Sequence, residues 1–248
     1  MSADETVAAA ATVDRMPLRE HIAELRNRLF VSALAITVGS LAAFALWDHV
    51  LHFLVGYYRD ATSNQRSTFV NLSPLDGITV RLRVSGYLGL FAASPVWLWQ
   101  AWRFVTPALK QREKRYAVPF LLSSVTLFLF GAAMGLLTLP AGLHFLVAYA
   151  GRDVTALYSV DKFVNLVVLI VVVFGFSFLF PVFLVFLELV RLVTWRQLLK
   201  GWRYAIIVIF VIAAVITPSQ DPYTLFAMAG PMVVFYFGSI GLGWVLRR

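Results

Sequence analysis

Six long apolar stretches recur along the chain, and polar segments separate them. None of the six contains Asp, Glu, Lys or Arg. A helix rises about 1.5 Å per residue, so roughly 20 apolar residues cross a hydrocarbon core about 30 Å thick. The pattern therefore predicts an all-α membrane protein with six transmembrane helices, at residues 29–47, 84–102, 116–139, 163–187, 204–216 and 225–246.

Two of these stretches are irregular. The fifth is short for a full crossing, although Trp202 and Arg203 stand where interfacial anchors belong. The sixth is interrupted by Gly230-Pro231. Strands in membranes alternate apolar and polar residues, whereas these stretches are apolar on all sides, so helices are predicted throughout. We expect Pro95, Pro181 and Pro231, which lie inside spans, to curve the helices.

Composition agrees with a membrane protein. The 248 residues are 60% hydrophobic and 14% charged, against roughly a quarter charged in soluble domains. There is no cysteine, which excludes disulfides and thiolate metal sites. The net charge of +8 is typical of the topology of a membrane protein, because Lys and Arg collect in cytoplasmic loops.

The distribution of basic residues predicts the orientation. If the N-terminus is cytoplasmic and six spans follow, 15 of the 21 Lys and Arg fall on the inside and 6 on the outside. The prediction is N-in and C-in, with long outer loops at residues 48–83 and 140–162. Residues 1–15 lack the features of a cleavable signal peptide and are predicted to be a disordered cytoplasmic tail. Residues 16–248 then form a single transmembrane domain.

Two cytoplasmic segments combine basic residues with a carboxylate. Residues 17–29 have an apolar stripe at helical spacing, and Glu24 can pair with Arg28 one turn later. This segment is either an interfacial amphipathic helix or a docking surface. Residues 102–115 carry five cations around one acid, Glu113. The positive-inside rule explains the cations but not the acid.

Five motifs reveal a family resemblance. They occur in order over roughly residues 16–246: HIAELRNRL (21–29), SPLDG (73–77), SPVWLWQAWRFVTPALKQREKR (94–115), FGFSFLFPV (174–182) and TPSQDP (217–222). Their sequence, order and spacing resemble those of TatC, the multispanning subunit of the twin-arginine protein translocase. The resemblance rests on the set of five, since each motif alone is weak.

The resemblance implies a fold and a function. The fold is a concave bundle of six helices in the cell membrane of a prokaryote. The protein would be a receptor for twin-arginine signal peptides, working with single-span TatA and TatB subunits and with further copies in a larger complex. It would export folded cargo on the proton-motive force. Family positions that bind the signal correspond to Glu24, Arg26, Phe104 and Glu113, and a position needed for transport corresponds to Asp221.

The chemistry of these residues suits that role. An arginine guanidinium presents five donors in a rigid fork, and a carboxylate accepts two of them in parallel. Glu24 and Glu113 at one cytoplasmic rim would read two adjacent arginines, and lysine lacks the fork. Phe104 would contact the signal peptide, or else only pack at a helix end. Asp221 has the simpler alternative of an Asx turn.

The chain departs from the family pattern at two acids. Many relatives carry a glutamate within the fourth span where this chain has Leu179, and many carry an acid in the sixth span where this chain has Phe237. Glu188 lies nine residues after Leu179, on the opposite helix face, and is interpreted as an interfacial ion pair with Arg191. A polar contact with TatA or TatB would then use side chains such as Asn165, Ser177 and Thr217.

Other classes of function are less well supported. His49 and His52 lie three residues apart, but no third ligand is near in sequence, so no metal site is predicted. No catalytic motif occurs, and we expect no enzyme activity, cofactor or nucleic acid partner. The alternative of a small-solute transporter or channel lacks the mid-span charges and inverted repeats typical of that class.

Overall fold

The computed structural model describes residues 18–50, 52, 56, 73–105, 117–149, 159–190, 192–217 and 221–246. The predicted tail, residues 1–15, and Glu113 lie outside these ranges. Within them the ordered elements are α-helices, which we number in chain order: α1 Leu18–Ala45, α2 Asp76–Ala92, α3 Ser94–Val105, α4 Ala117–Tyr149, α5 Val160–Ser177, α6 Phe180–Leu189, α7 Trp195–Lys200, α8 Trp202–Ile216 and α9 Pro222–Leu246.

The lengths of the apolar helices support a membrane protein. Four helical stretches are long and apolar enough to cross a membrane: Ile22–Ala45, Ala117–Phe145, Val160–Leu189 and Pro222–Val245. Helix α8 is apolar but shorter. The predicted all-α membrane class is confirmed, whereas six crossings and the orientation stay predictions.

Two of the predicted spans each consist of two helices. A short break at Ala93 separates α2 from α3, and a break that ends at Leu179 separates α5 from α6. Each break lies two residues before a proline, Pro95 or Pro181. Proline has no N–H to donate to the carbonyl four residues earlier, and its ring crowds that carbonyl, so the helix ends and restarts near each proline.

Two other prolines leave their helices intact. Helix α9 continues through Pro231, so the interruption expected at Gly230-Pro231 is not present in its bounds. Pro140 was predicted to begin an outer loop, and that prediction is wrong because α4 runs through Pro140 to Tyr149. In a membrane, neighbouring helices can compensate the hydrogen bond that a proline removes, so such residues are tolerated inside helices.

Helix α1 joins two features that the sequence analysis treated separately. The amphipathic segment from residue 18 and the first apolar span form a single helix without a break at Leu29. At about 1.5 Å per residue its 28 residues extend roughly 42 Å, more than a hydrocarbon core of about 30 Å. A helix of this length either tilts in the bilayer or extends beyond the core.

Helices α1 and α2 are antiparallel, in a register defined by three contacts. A Cβ at Gly89 would stand 2.7 Å from the Ile36 carbonyl oxygen. Further along, the Ser40 hydroxyl lies 3.5 Å from the Gly86 carbonyl oxygen. The Arg81 guanidinium donates to the carbonyl oxygen of Phe44 at 2.9 Å. Small residues that let backbones approach this closely are typical of helix packing in membranes.

The same principle holds between α4 and α5. A Cβ at Gly131 would lie 2.6 Å from the carbonyl oxygen of Phe174, and one at Gly175 would lie 3.0 Å from the Phe128 ring. Phe128 and Phe174 are fully buried at this crossing. The core of the molecule continues from here to α9, where Met228, Met232 and Tyr236 are also buried.

The contacts sort the helix ends into two sets. Helix α1 begins at the end of the bundle where α3 ends, since α1 packs antiparallel to α2 and also contacts α3. Trp102 near the end of α3 contacts Phe120 near the start of α4 and Phe186 near the end of α6. Helix α9 ends there as well, because Gly243 abuts Glu188. We call this the N-terminal end of the bundle and the other the opposite end.

Candidate functional site

Glu24 lies near the start of α1. Its side chain is 26% exposed and forms an ion pair with the guanidinium of Arg28, which is 12% exposed. The two residues are one helical turn apart, as the i, i+4 spacing predicts. The predicted pair is thus present, and it holds the carboxylate at the N-terminal end of the bundle.

Arg26 is exposed on the same helix. It follows Glu24 by two positions, which is about 200° around the helix axis, so the two side chains point to different sides. The structure therefore does not bring Arg26 together with Glu24. Arg26 offers a cation on a separate surface of α1.

Phe104 lies one residue before the end of α3 and is half-buried. The α1–α2 register pairs Phe44 with Arg81 and Ile36 with Gly89, so residues earlier in α1 lie beside residues later in α2 and α3. Extending this register places Phe104 near the level of Glu24. Two of the predicted site residues thus share one end of the bundle.

Trp102 fixes the end of α3 that carries Phe104. Its indole N–H donates to the Ser124 hydroxyl of α4 at 3.0 Å. Its ring centroid lies 4.8 Å from that of Phe120 and 5.4 Å from that of Phe186. Aromatic pairs at such separations contribute about 0.5–1.5 kcal/mol beyond the area they bury. The partners of Trp102 come from two other helices, α4 and α6.

Asp221 lies at the opposite end of the bundle, where α9 begins. Its carboxylate is fully buried and accepts from the backbone N–H of Thr224 at 2.8 Å and from the Thr224 hydroxyl at 2.6 Å. Pro222 follows as the first helical residue. This is an N-cap, in which a carboxylate satisfies an otherwise unpaired helix N–H and complements the helix dipole.

The cap also touches α4. A Cβ at Gly142 would stand 3.0 Å from the Thr224 hydroxyl oxygen and 3.1 Å from an Asp221 carboxylate oxygen. Gly142 lies in the part of α4 beyond Pro140, which the sequence analysis assigned to a loop. The position of Asp221 excludes a direct role together with Glu24, because the two residues are at different ends.

Two arginines of α2 hold the opposite end together. Arg81 donates to the Phe44 carbonyl, and its guanidinium carbon lies 4.0 Å from the Phe44 ring centroid. Arg83 forms an ion pair with Asp161 at the start of α5, at 2.8 Å. Each cation or anion complements a helix end, since α1 ends near Phe44 and α5 begins near Asp161.

Glu188 is the buried carboxylate that sequence reasoning underrated. It is 3% exposed in α6, and a Cβ at Gly243 of α9 would lie 2.6 Å from its carboxyl carbon. The expected partner, Arg191, lies outside the described residues. A glycine at a close helix crossing is the one sequence signal that could have indicated this contact. Leu179, at the position of one missing family acid, is half-buried at the break before α6.

The polar residues considered for partner contacts differ in accessibility. Asn165 is exposed and Ser177 is half-buried. Thr217 is buried and its hydroxyl donates to the Ala213 carbonyl of its own helix, so it is already used internally. Among the described residues, no group of three His, Asp or Glu side chains could hold a metal ion.

Comparisons with known proteins agree with the resemblance drawn from the five motifs. The family model of the Sec-independent protein translocase protein (TatC) matches residues 20–231. The TatC protein of Xylanimonas cellulosilytica is 38% identical over 240 residues, which cover 94% of this chain and 86% of that one. The TatC protein of Aquifex aeolicus is 37% identical, with 94% and 97% covered.

Solved structures agree at the level of the fold. A crystal structure of the twin-arginine translocase receptor TatC superposes with a TM-score of 0.74 at 35% identity. The match covers 92% of this chain and 100% of that one. The helical arrangement described above is therefore similar to that of a known receptor.

Proposed function

Because this chain belongs to the TatC family, we propose that it is the signal-peptide receptor and core subunit of a twin-arginine protein translocase. It exports folded proteins across the membrane on the proton-motive force. The observation that carries the proposal is the sharing of one bundle end by the Glu24 carboxylate and Phe104, at positions that correspond to the family's recognition residues.

The signal peptide binds at the N-terminal end of the bundle. Glu24 accepts from one guanidinium of the arginine pair, exchanging its contact with Arg28 for one with the peptide. Glu113, which follows α3 in the chain, accepts from the second. Charge-assisted hydrogen bonds of this kind contribute about 1.5–3 kcal/mol each. The fork geometry favours two arginines over two lysines, because only arginine binds a carboxylate through two parallel bonds.

The N-terminal end of the bundle faces the cytoplasm. This orientation rests on the excess of Lys and Arg in segments at that end and requires six crossings, with α2–α3 and α5–α6 each crossing as one unit. Single-span TatA and TatB subunits assemble with the chain within the cell membrane. The named relatives are protein translocase subunits and do not favour the alternative of a small-solute transporter.

A photocrosslink tests the receptor site. A photoreactive residue at Phe104 or Glu113 is expected to label a signal peptide with two arginines and to lose the label when both are lysine. The same residue at Leu75, exposed near the opposite end, is the control and should give no label. Equal labelling by both peptides would remove the recognition hypothesis.

Binding measurements isolate the contribution of Glu24. Glu24→Gln keeps the size of the side chain and removes its charge, so affinity for the arginine peptide should fall about 10- to 100-fold. The affinity for the lysine peptide should change much less. If Glu24→Gln binds the arginine peptide as tightly as the unmodified chain, Glu24 is not a recognition residue.

A further inference from the structure

One face of α1 packs into the bundle, and the exposure of its residues shows which face this is. From Glu24 to Phe44 the half-buried positions recur every three or four residues, and the positions between them are exposed. This spacing belongs to one stripe of an α-helix, which has 3.6 residues per turn. Ile36 and Ser40 of the stripe lie against Gly89 of α2. The stripe is therefore the packing face of α1.

The Glu24–Arg28 pair begins this packing face. Both residues are half-buried, whereas Leu25, Arg26 and Leu29 on the other sides of the helix are exposed. The side chain of Arg28 is only 12% exposed. An ion pair in open solvent contributes little, because water competes for both partners. Arg28 is largely withdrawn from water, so the Glu24 carboxylate is a stronger partner for it than in a solvated pair.

The guanidinium of Arg28 has a donor that the contact with Glu24 does not use. Its Nη2 binds a carboxylate oxygen of Glu24. Its Nη1 is buried, and no acceptor among the described residues lies within hydrogen-bonding distance of it. A buried donor without an acceptor costs free energy. Release of Arg28 from this position recovers part of that cost, which makes the contact exchangeable.

Arg28 offers Glu24 the same chemical group as the proposed ligand. Under the proposed function, Glu24 accepts from one guanidinium of the arginine pair in the signal peptide. A carboxylate has two oxygens, and a forked guanidinium binds both of them, so Arg28 and a peptide arginine compete for the same acceptor. Because Arg28 is attached one turn away on the same helix, its effective concentration at Glu24 is high at any protein concentration.

We propose that Arg28 is an internal competitor, which occupies Glu24 in the free receptor and must be displaced by the signal peptide. The inference rests on the proposed role of Glu24. A peptide with one arginine replaces one guanidinium by another at Glu24 and gains little from the exchange. A second arginine adds a contact that Arg28 does not oppose. The competitor thus raises the threshold for binding and makes the second arginine decisive.

The experiment measures binding of a fluorescent signal peptide to the full chain in detergent by fluorescence anisotropy. Arg28→Gln removes the competitor and should tighten binding of the two-arginine peptide about 3- to 10-fold. Arg28→Lys keeps the charge but lacks the fork, so its affinity should lie between those of Arg28→Gln and the unmodified chain.

Arg196→Gln is the control for the loss of one positive charge. Arg196 is exposed on α7, which follows α6 near the same end of the bundle, and its guanidinium carbon lies 5.2 Å from the Trp195 ring centroid. This substitution should change the affinity for the peptide by less than about twofold.

A double variant separates competition from simple charge repulsion. If Arg28 acts by occupying Glu24, Arg28→Gln should give no gain when combined with Glu24→Gln, because no carboxylate is left to release. If Arg28 only repels a basic peptide, the gain should persist in the double variant. A peptide with glutamines in place of both arginines should bind Arg28→Gln and the unmodified chain equally.

The outcomes distinguish this proposal from the proposed function. Unchanged or weaker binding by Arg28→Gln, with weakened binding by Glu24→Gln, would overturn the competitor and leave the receptor site in place. Unchanged binding by Glu24→Gln would contradict the proposed function itself. An equal gain from Arg196→Gln, or a gain that persists in the double variant, would reduce Arg28 to a general charge effect.

The unfolding midpoints of both Arg28 variants check that they fold. A gain in affinity is not a result that loss of folding can produce. If Arg28→Gln does not fold, Arg28→Lys carries the test, and binding no tighter than that of the unmodified chain would then overturn the proposal.

Discussion

At the scale of single residues, Asp221 and Glu188 are carboxylates buried against neighbouring helices. Asp221 caps α9 and touches Gly142 of α4. Glu188 is enclosed against Gly243. A charged side chain buried among membrane helices is expensive and is retained where it has defined partners. Substitutions at these positions therefore need a measurement that separates stability from transport.

Two substitutions of Asp221 distinguish its role as a helix cap from a requirement for its negative charge in transport. Asp221→Ala leaves two Thr224 donors without their acceptor, so the free energy of unfolding should fall by about 1–2 kcal/mol. Asp221→Asn keeps an acceptor oxygen and should lose clearly less, with transport of a twin-arginine cargo largely retained. Thermal unfolding in detergent and a cargo export assay measure the two effects. A stable Asp221→Asn variant that exports nothing would show that the charge itself is required.

Alanine substitutions at Gly243 and Gly241, two glycines of α9, test the contact with Glu188. A Cβ at Gly243 meets the Glu188 carboxylate, so Gly243→Ala must displace a buried charged group and should destabilise the protein by about 1–3 kcal/mol. Gly241→Ala meets nothing within 4 Å and should be neutral or stabilising by about 0.5–1 kcal/mol, because alanine favours helix. The midpoint of thermal unfolding reports both. Equal effects of the two alanines would contradict the close approach of Glu188.

At the scale of helices, the α1–α2 contact depends on the absence of a side chain at Gly89. Gly89 lies so close to α1 that a Cβ would meet the backbone carbonyl oxygen of Ile36 at 2.7 Å as well as Ser40. A helix backbone cannot move aside as a flexible side chain can. Gly89→Ala should therefore separate the helices and lower stability by about 1–3 kcal/mol.

Gly86 is the control for this prediction. It lies one turn earlier in α2, and a Cβ there would meet nothing within 4 Å. Gly86→Ala should leave the unfolding midpoint unchanged or slightly raised. The opposite ranking of the two variants would mean that the helices do not pack in the register described here.

The sequence predicts the helices well and their interruptions less well. Charge-free apolar stretches identify membrane helices because the bilayer leaves the backbone few alternatives. Proline position alone does not tell a break from a continuous helix: the chain breaks before Pro95 and Pro181 but not at Pro140 or Pro231. The difference depends on which neighbouring helices compensate the lost hydrogen bond, which is a property of the tertiary structure.

The contacts of the candidate site residues also differ in how far the local sequence predicts them. The Glu24–Arg28 pair is local and follows from the i, i+4 spacing. The Asp221 cap is also local, and the predicted Asx turn was close to it. The contact between Glu188 and Gly243 joins residues 55 positions apart, and no local pattern encodes it. Phe104 was predicted as a site residue only from the family resemblance. An apolar residue near a helix end carries no chemical signal of its own.

At the scale of the whole molecule, the proposed orientation can be measured directly. The chain has no cysteine, so single cysteines can be introduced at exposed positions. Ile22 and Leu199 are exposed near the N-terminal end, and Leu75 is exposed near the opposite end. In intact spheroplasts, a membrane-impermeant maleimide should label Leu75→Cys and spare Ile22→Cys and Leu199→Cys. Labelling of the last two, with Leu75→Cys protected, would reverse the orientation.

The continuity of α1 links the two ends of the bundle mechanically. Helix α1 has no break from Leu18 to Ala45, so it behaves as a stiff rod over the roughly 30 Å between Glu24 and Phe44. Arg81 of α2 binds the C-terminal end of α1 by donating a hydrogen bond to the Phe44 carbonyl. A displacement of α2 at the opposite end would therefore also move Glu24 at the N-terminal end. Under the proposed function, α1 would couple the receptor site to the other side of the membrane.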